Sequence, residues 1–213
     1  MLKGRKYSYD YDATGNQSHR YLNTAKTSYW HYSWSAENQL QHAELINNGQ
    51  TLRTLNFKYD AFGRRIEKQV IDTLTTTTTY LYDGEDIILQ TVNDGTNTTI
   101  THYTHGPGID EPLAQTRNNQ NYYYHADGLG SIIAITDTTK TIVQRYQYAI
   151  YGMLTTIQNP EFPNSYTFTA REWDKELGLY YYRARYYDPI GFAGGDVNIY
   201  VYEKSADGVG EEI

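Results

Sequence analysis

The sequence predicts an all-β fold in which antiparallel hairpins stack into a curved, spiralling sheet, a partial cocoon or barrel-like shell. Composition is the first indication, because 24 tyrosines stand against only five phenylalanines. Tyrosine and threonine favour pleated, half-buried surfaces. A regular series of turn motifs is the second. The absence of a convincing amphipathic helix is the third, since the closest candidate, residues 42–46, is too short.

The turn motifs recur with a nearly constant period. Counted from Tyr11, the spacings are 23, 25, 23, 23, 20 and 23 residues. A fixed period in this range is typical of an array of stacked units. The motifs begin at Tyr11, Trp34, Tyr59 and Tyr82, with weaker echoes at His105, His125 and Tyr148.

Each unit is predicted to be a strand, a turn and a second strand. Residues 55–59 alternate before one turn and residues 65–70 alternate after it. An Asp side chain can hydrogen-bond the backbone two residues later, and Gly can adopt the positive φ that such turns require. The threonine run 75–79 is predicted as a strand edge, with a disordered loop as the alternative. Residues 159–164 contain two prolines and are predicted to be a surface loop that breaks the array.

Charge and composition exclude several classes of protein. The net charge of −7 argues against a nucleic-acid partner, because no basic excess neutralises phosphates. Without cysteine there is no disulfide or thiolate metal site. No apolar stretch reaches the roughly 18–20 residues that span a bilayer. The basic residues 1–6 run directly into a polar segment, so no secretory signal is predicted and the compartment is undetermined.

Several stretches carry a family resemblance in their order along the chain: 106–112, 125–131, 168–174, 178–189 and 190–195. Over about residues 5–202 the chain resembles the tyrosine–aspartate (YD) repeats and associated core of Rhs proteins, which are similar to the shells of insecticidal toxin complexes and to teneurins. The resemblance divides the chain into a repeat array (1–120), an Rhs-associated core (121–202) and a divergent tail (203–213).

The resemblance implies a structural role. In the family, the repeats wind into a hollow shell that encloses a toxic polypeptide, so the expected partners are a toxin polypeptide or other shell segments. The resemblance implies a bacterial protein, either cytoplasmic or exported by a specialised secretion system. No cofactor and no metal site are expected. Because no toxin domain follows and the family shell is several times longer, we expect a truncated, standalone core.

The Rhs core often carries a self-cleaving aspartyl protease, with two Asp-Pro stretches and an arginine nearby. The resemblance assigns Asp188, Arg183 and Arg185 to a remnant of this site. The segment that normally separates the two Asp-Pro stretches is missing here, and Asp196 or Asp207 would have to supply the second acid. Two carboxylates sharing a proton are the requirement of such a protease, and the site is therefore expected to be incomplete.

Alternation along residues 179–188 places the two arginines on one face and Asp188 on the other. The structural alternative is that the arginines stack on tyrosine rings.

Three further interpretations concern binding. His125, Asp127 and Ser131 lie too close together for a catalytic triad and are interpreted as turn residues. The remaining histidines show no metal-ligand spacing. A glycan- or protein-binding adhesion module is a further alternative, and open sheet edges predict self-association.

Overall fold

The computed structural model describes residues 7–190, which form two antiparallel sheets. In the large sheet, fourteen strands follow one another in chain order, each paired with the next. Its strands are β1 (Ser8–Tyr11), β2 (Gln17–Tyr21), β3 (Ser28–Trp34), β4 (Leu40–Asn47), β5 (Gln50–Tyr59), β6 (Arg65–Ile71), β7 (Thr75–Asp83), β8 (Asp86–Asn93), β9 (Thr98–His105), β10 (Pro112–Arg117), β11 (Gln120–Ala126), β12 (Ile132–Asp137), β13 (Ile142–Tyr148) and β14 (Leu154–Ile157).

The small sheet follows in the chain and contains β15 (Glu172–Asp174), β16 (Leu179–Tyr182) and β17 (Arg185–Tyr187). A single 3₁₀ turn at Ile150–Gly152 joins β13 to β14, and another at Phe168–Ala170 lies in the connection between the two sheets. The described residues contain no helix with the length and hydrophobicity of a membrane span.

The repeated turns have one hydrogen-bonding scheme. In the turn after β5, Asp60 Oδ1 accepts from the amides of Phe62 and Arg64, each at 2.9 Å. Gly63 has a φ of +82°, which costs glycine little because it has no Cβ. The scheme recurs at Asp12, Asp127 and Asp137. The aspartate therefore closes these four turns, and Ser35 Oγ takes its place in the turn after β3.

The aromatic residue before five of the turns connects its unit to the preceding one. Its polar atom donates to a backbone carbonyl 16 to 19 residues earlier. The donor–acceptor distances are 2.6–2.9 Å, and the pairs, donor first, are Trp34–Gln17, Tyr59–Leu40, Tyr82–Arg65, His105–Ile87 and Tyr148–Ile132. We call this series the aromatic donor ladder. Phenylalanine cannot make these hydrogen bonds because it has no donor.

One face of the large sheet, the inner face, carries the buried side chains, and residues 159–190, the docked segment, pack against it. One apolar cluster joins Trp30 and Leu55 to Leu179 and Tyr186 of the docked segment. A second joins Tyr103 and Ile135 of later strands to Tyr166. The docked segment is therefore the other half of the core.

The sheet curls around the docked segment. Asp188 contacts Arg20 of β2 at 3.3 Å, while its neighbour Tyr187 donates to the carbonyl of Tyr151, just after β13, at 2.9 Å. In a flat sheet β2 and β13 would be about 53 Å apart, at about 4.8 Å per strand. Only a strongly curved sheet brings both within reach of adjacent residues. The curl is not closed, since β1 and β14 pair with no further strand among residues 7–190.

Most predicted elements are confirmed. Residues 42–46 lie in β4, the threonine run 75–79 lies in β7, and the chain leaves the large sheet after Ile157, next to the predicted break. The large sheet runs through residues 120 and 121 within β11, and the division of the chain there stays a prediction.

The prediction of one continuous strand over residues 179–187 is wrong. The chain reverses at Arg183 and Ala184, so β16 and β17 form a tight hairpin in which Tyr182 pairs with Arg185. Arg183 adopts a φ of +59°. The reversal contains no Gly, Asn, Asp or Pro, the residues that normally mark a turn, and the alternation argument across it therefore fails.

Candidate functional site

The candidate site is the inner face where it binds the docked segment. Three of its side chains donate to backbone carbonyls of that segment: Arg20 to Leu177 (2.5 Å), Arg117 to Pro163 (2.6 Å) and Gln144 to Asn159 (2.5 Å). Gln144 also accepts from the amide of Asn159 at 3.0 Å, as a neighbouring strand would. These contacts recognise the main chain, so they do not depend on the sequence of the polypeptide that is bound.

A buried ionic cluster lies at the centre of the site. Arg65, whose side chain is 0% exposed, begins β6 and points inward. It donates to Asp174 at 2.5 Å and to Glu172 and the Tyr186 hydroxyl at 2.9 Å. Its guanidinium also lies 4.1 Å from the ring centroid of Tyr181. The stack and the two carboxylates together replace the hydration that this charge loses on burial.

Lys68, on the same strand, extends the cluster. Its ammonium contacts Asp174 at 2.8 Å and Glu176 at 3.2 Å. Burial acts to raise the pKa of Asp174, but the charges of Arg65 and Lys68 outweigh burial and lower that pKa. For Glu172, burial dominates and raises its pKa despite Arg65. The two carboxylates therefore respond differently to acid.

Asp188 lies at the end of the docked segment. It is 5% exposed and forms an ion pair with the equally buried Arg20 at 3.3 Å. Tyr9 and Tyr32 lie beside this pair. Burial, and next the nearby Asp188 carboxylate, raises the pKa of Tyr9. Burial raises the pKa of Tyr32 against the opposing charge of Arg20. Both phenols are therefore neutral.

A second ionic contact fastens the hairpin of the small sheet. Asp110, in the loop between β9 and β10, receives Arg171 at 2.6 Å and Arg183 at 3.0 Å. Arg183 also lies 3.4 Å from Glu85. Burial raises the pKa of Asp110 even though both arginines oppose the shift. This contact holds the small sheet to the loop between β9 and β10 of the large sheet.

Comparison with known proteins identifies the family to which this architecture belongs. The family model described as the teneurin YD-shell matches residues 1–199. The chain belongs to the YD-shell family.

Several relatives carry this YD shell as a small part of a long protein. The tRNA3(Ser)-specific nuclease WapA of Bacillus spizizenii is 32% identical over 191 residues, which is 89% of this chain and 8% of that protein. The probable deoxyribonuclease RhsB of Dickeya dadantii is 29% identical over 194 residues, 79% of this chain and 12% of that protein. This chain therefore spans about a tenth of the length of these relatives.

Solved structures of toxin complexes share the fold. The crystal structure of TcdB2-TccC3-TEV superposes with a TM-score of 0.67 at 22% identity, over 85% of this chain and 9% of that one. The Tc holotoxin pore of Photorhabdus luminescens gives 0.66 at 22% identity, over 84% and 9%. At this identity the likeness establishes the fold.

The YD shell separates the three residues assigned to the protease remnant. Asp188 pairs with Arg20, whereas Arg183 pairs with Asp110 and Glu85. Within residues 7–190, Arg185 has no carboxylate at salt-bridge distance; it lies on β17 opposite Tyr182. The arginine beside Asp188 therefore comes from the second strand of the chain. Asp196 and Asp207 lie outside the described residues.

Asp127 and Ser131 have the structural roles expected of turn residues, whereas His125 lies within β11, where its Nε2 is 2.9 Å from Thr136 Oγ1. Asp127 accepts from the amides of Leu129 and Ser131, each at 2.9 Å. Ser131 Oγ accepts from the amide of Thr169 at 3.1 Å, which ties this turn to the docked segment.

Sequence reasoning missed the residues that hold the docked segment, among them Arg20, Arg65 and Gln144. A usable signal exists for Gln144, because it shares its face of β13 with Tyr146 and Tyr148. A charged or amide side chain at such a position is rarely buried without a partner.

Proposed function

We propose that this chain is a section of a YD-repeat shell whose inner face encloses a polypeptide, in the context of toxin encapsulation and delivery. The observation that carries the proposal is the binding of the docked segment through its backbone carbonyls by Arg20, Arg117 and Gln144. Such contacts suit a container, because a container must hold polypeptides of differing sequence.

The relatives support this context. Those named above are nucleases in which the matching region is a small share of a long protein. A shell region shared by proteins of different activity is consistent with a structural role for that region. We propose a toxin polypeptide or another part of the shell as the partner of this section.

Hydrogen–deuterium exchange of the whole chain tests whether the inner face holds polypeptide. We expect amides of residues 159–190 to be protected, and Gln144→Ala to speed exchange around residues 159–164. Arg145→Ala is the matched control, since Arg145 is exposed on the same strand. The proposal would be contradicted if, in the unaltered chain, the amides of residues 159–190 exchanged as fast as those of the exposed turn 94–97.

Residual aspartyl autoproteolysis is a second candidate, favoured by one observation. Asp188 is buried beside Arg20, and it is the carboxylate that the family resemblance assigns to the protease. Mass spectrometry over several days at mildly acidic pH tests this activity, with Asp188→Asn as the control. A single intact mass in both proteins would exclude it.

A further inference from the structure

Two histidines lie side by side on the outer face of the large sheet. His19 of β2 pairs in register with His31 of β3, and their ring centroids are 4.9 Å apart. Both are half-buried, while their strand neighbours Arg20 and Trp30 point to the inner face. Adjacent antiparallel partners direct their side chains to the same side of a sheet, so both imidazoles open toward solvent.

Carboxylates flank this pair on both sides. Asp10 of β1 lies opposite His19, and Glu44 of β4 lies opposite His31. Four adjacent strands thus present a row in the order carboxylate, imidazole, imidazole, carboxylate. Lys26 is the nearby cation, 3.7 Å from Asp10, and Glu44 also contacts His42 at 3.6 Å. The charge around the two imidazoles favours a bound cation.

The separation of the rings matches two ligands of one ion. With metal–nitrogen distances of about 2.0–2.1 Å and tetrahedral or square geometry, two imidazoles place their centroids about 5 Å apart. His19 Nδ1 lies 3.2 Å from Ser18 Oγ, which leaves Nε2 for the ion. A hydrogen bond at the other ring nitrogen is the usual arrangement for a ligating histidine.

We infer that His19 and His31 form a bis-imidazole site for a late transition-metal ion such as Zn²⁺, Ni²⁺ or Cu²⁺. No three His, Asp or Glu side chains among residues 7–190 converge on one point, so water completes the coordination. Imidazole selects these ions over Mg²⁺ and Ca²⁺, which prefer oxygen. A bound ion ties β2 to β3 next to the open edge of the sheet.

Aromatic neighbours hold the His19 ring in place. The tyrosine rings of Tyr21 and Tyr29, 5.7 and 5.6 Å from the His19 ring, restrict its movement.

Metal titration of the tag-free chain tests the inference. We expect Zn²⁺ to raise the melting temperature in a concentration-dependent way, since an ion that binds the folded state stabilises it. Mg²⁺ should have no effect. His19→Ala and His31→Ala should each weaken Zn²⁺ binding by about 10²-fold, because a single imidazole loses the effective concentration of the second. The double variant should also lose the residual binding by the remaining imidazole.

His102→Ala is the matched control, because His102 is an exposed histidine on the outer face of β9, opposite Leu89 and Thr116. It should bind Zn²⁺ like the unaltered chain. Circular dichroism with EDTA verifies that each variant folds, and the spin-resonance spectrum of bound Cu²⁺ should show coupling to two nitrogens. An unaltered chain that Zn²⁺ does not stabilise, retention of binding by His31→Ala, or coupling to one nitrogen would overturn the inference.

Discussion

A buried guanidinium is stable only where nearby carboxylates compensate its charge, and Arg65 illustrates the consequence. Its side chain is 0% exposed, and its two carboxylate partners come from a segment more than 100 residues away. Removing one partner from such a pair leaves an uncompensated buried charge. The free energy of unfolding then falls by more than the intact pair contributes to it. Arg65 therefore couples the shell to the segment it holds.

We expect Arg65→Ala to lower the free energy of unfolding by about 3–5 kcal/mol, because Glu172 and Asp174 lose their buried counter-ion. Urea denaturation measures this change. Arg53→Ala is the control, since the Arg53–Asp72 pair is 34% exposed on both sides and should change stability by about 0–1 kcal/mol. Equal effects of the two substitutions would show that Arg65 is not the central contact.

At the scale of the element, the repeat unit combines a closed turn with the aromatic donor ladder. The turn fixes the ends of two strands, and the donor fixes the spacing between units. Each contact is local and modest, and the array obtains its stability by repeating them. A polar atom at a precise place, and not the ring alone, is thus the feature that the repeat preserves.

Tyr148→Phe tests the ladder. The Tyr148 hydroxyl donates to the carbonyl of Ile132 at 2.6 Å, and its loss should cost about 0.5–1.5 kcal/mol while the ring stays in place. Tyr123→Phe, at a residue 42% exposed on the outer face, should be close to neutral. Thermal denaturation followed by circular dichroism distinguishes the two. A neutral Tyr148→Phe would mean that the ring alone is needed.

The turn aspartates predict acid sensitivity. Slight desolvation acts to raise the pKa of Asp60, but hydrogen bonds from Arg64 and from two backbone amides lower it overall. A carboxyl with a lowered folded pKa contributes stability above its unfolded value of about 3.9, and this contribution is lost as pH falls through the folded value. Asp60→Asn keeps an acceptor but not the charge, so its stability should fall less between pH 5 and pH 3. Urea midpoints at both pH values measure this, and equal losses in variant and parent would contradict it.

At the scale of the whole molecule, the curled sheet ends in two open edges. β1 and β14 each expose one side of their backbone among the described residues, and most of their side chains are exposed. Unpaired edges are templates for pairing with another chain. Within a longer shell such edges are where neighbouring strands would continue the sheet.

We expect the isolated chain to self-associate through these edges at high concentration. Ile157→Lys places a charge on the edge strand β14, where Ile157 is 38% exposed, and should shift light-scattering masses toward the monomer. Ile133→Lys is the control, because Ile133 is similarly exposed at 41% but lies on an interior strand. A parent chain that is strictly monomeric, or equal effects of both substitutions, would count against edge pairing.

The repeat made the large sheet predictable, because local residues such as Asp60 and Gly63 mark its turns. The hairpin at Arg183 was not predictable from turn chemistry, since a non-glycine residue with a φ of +59° carries no local turn signal and its partners Asp110 and Glu85 are distant in the chain.

The site was predictable in part. Asp188 follows from the family resemblance, whereas Arg20 lies 168 residues away from it in the chain and no local pattern connects them. His19 and His31 are separated by 12 residues and form no linear metal motif. Their relation depends on strand register, which the structure supplies.

The aromatic donor ladder also constrains how the wall formed by such a sheet changes in length during evolution. Because every donor must meet a carbonyl 16 to 19 residues behind it, a one-residue insertion within a strand would put the next donor out of phase. Duplication or loss of an entire unit preserves every donor–acceptor match. Lineages should therefore lengthen or shorten the wall in steps of about one period, with irregular insertions confined to the bends.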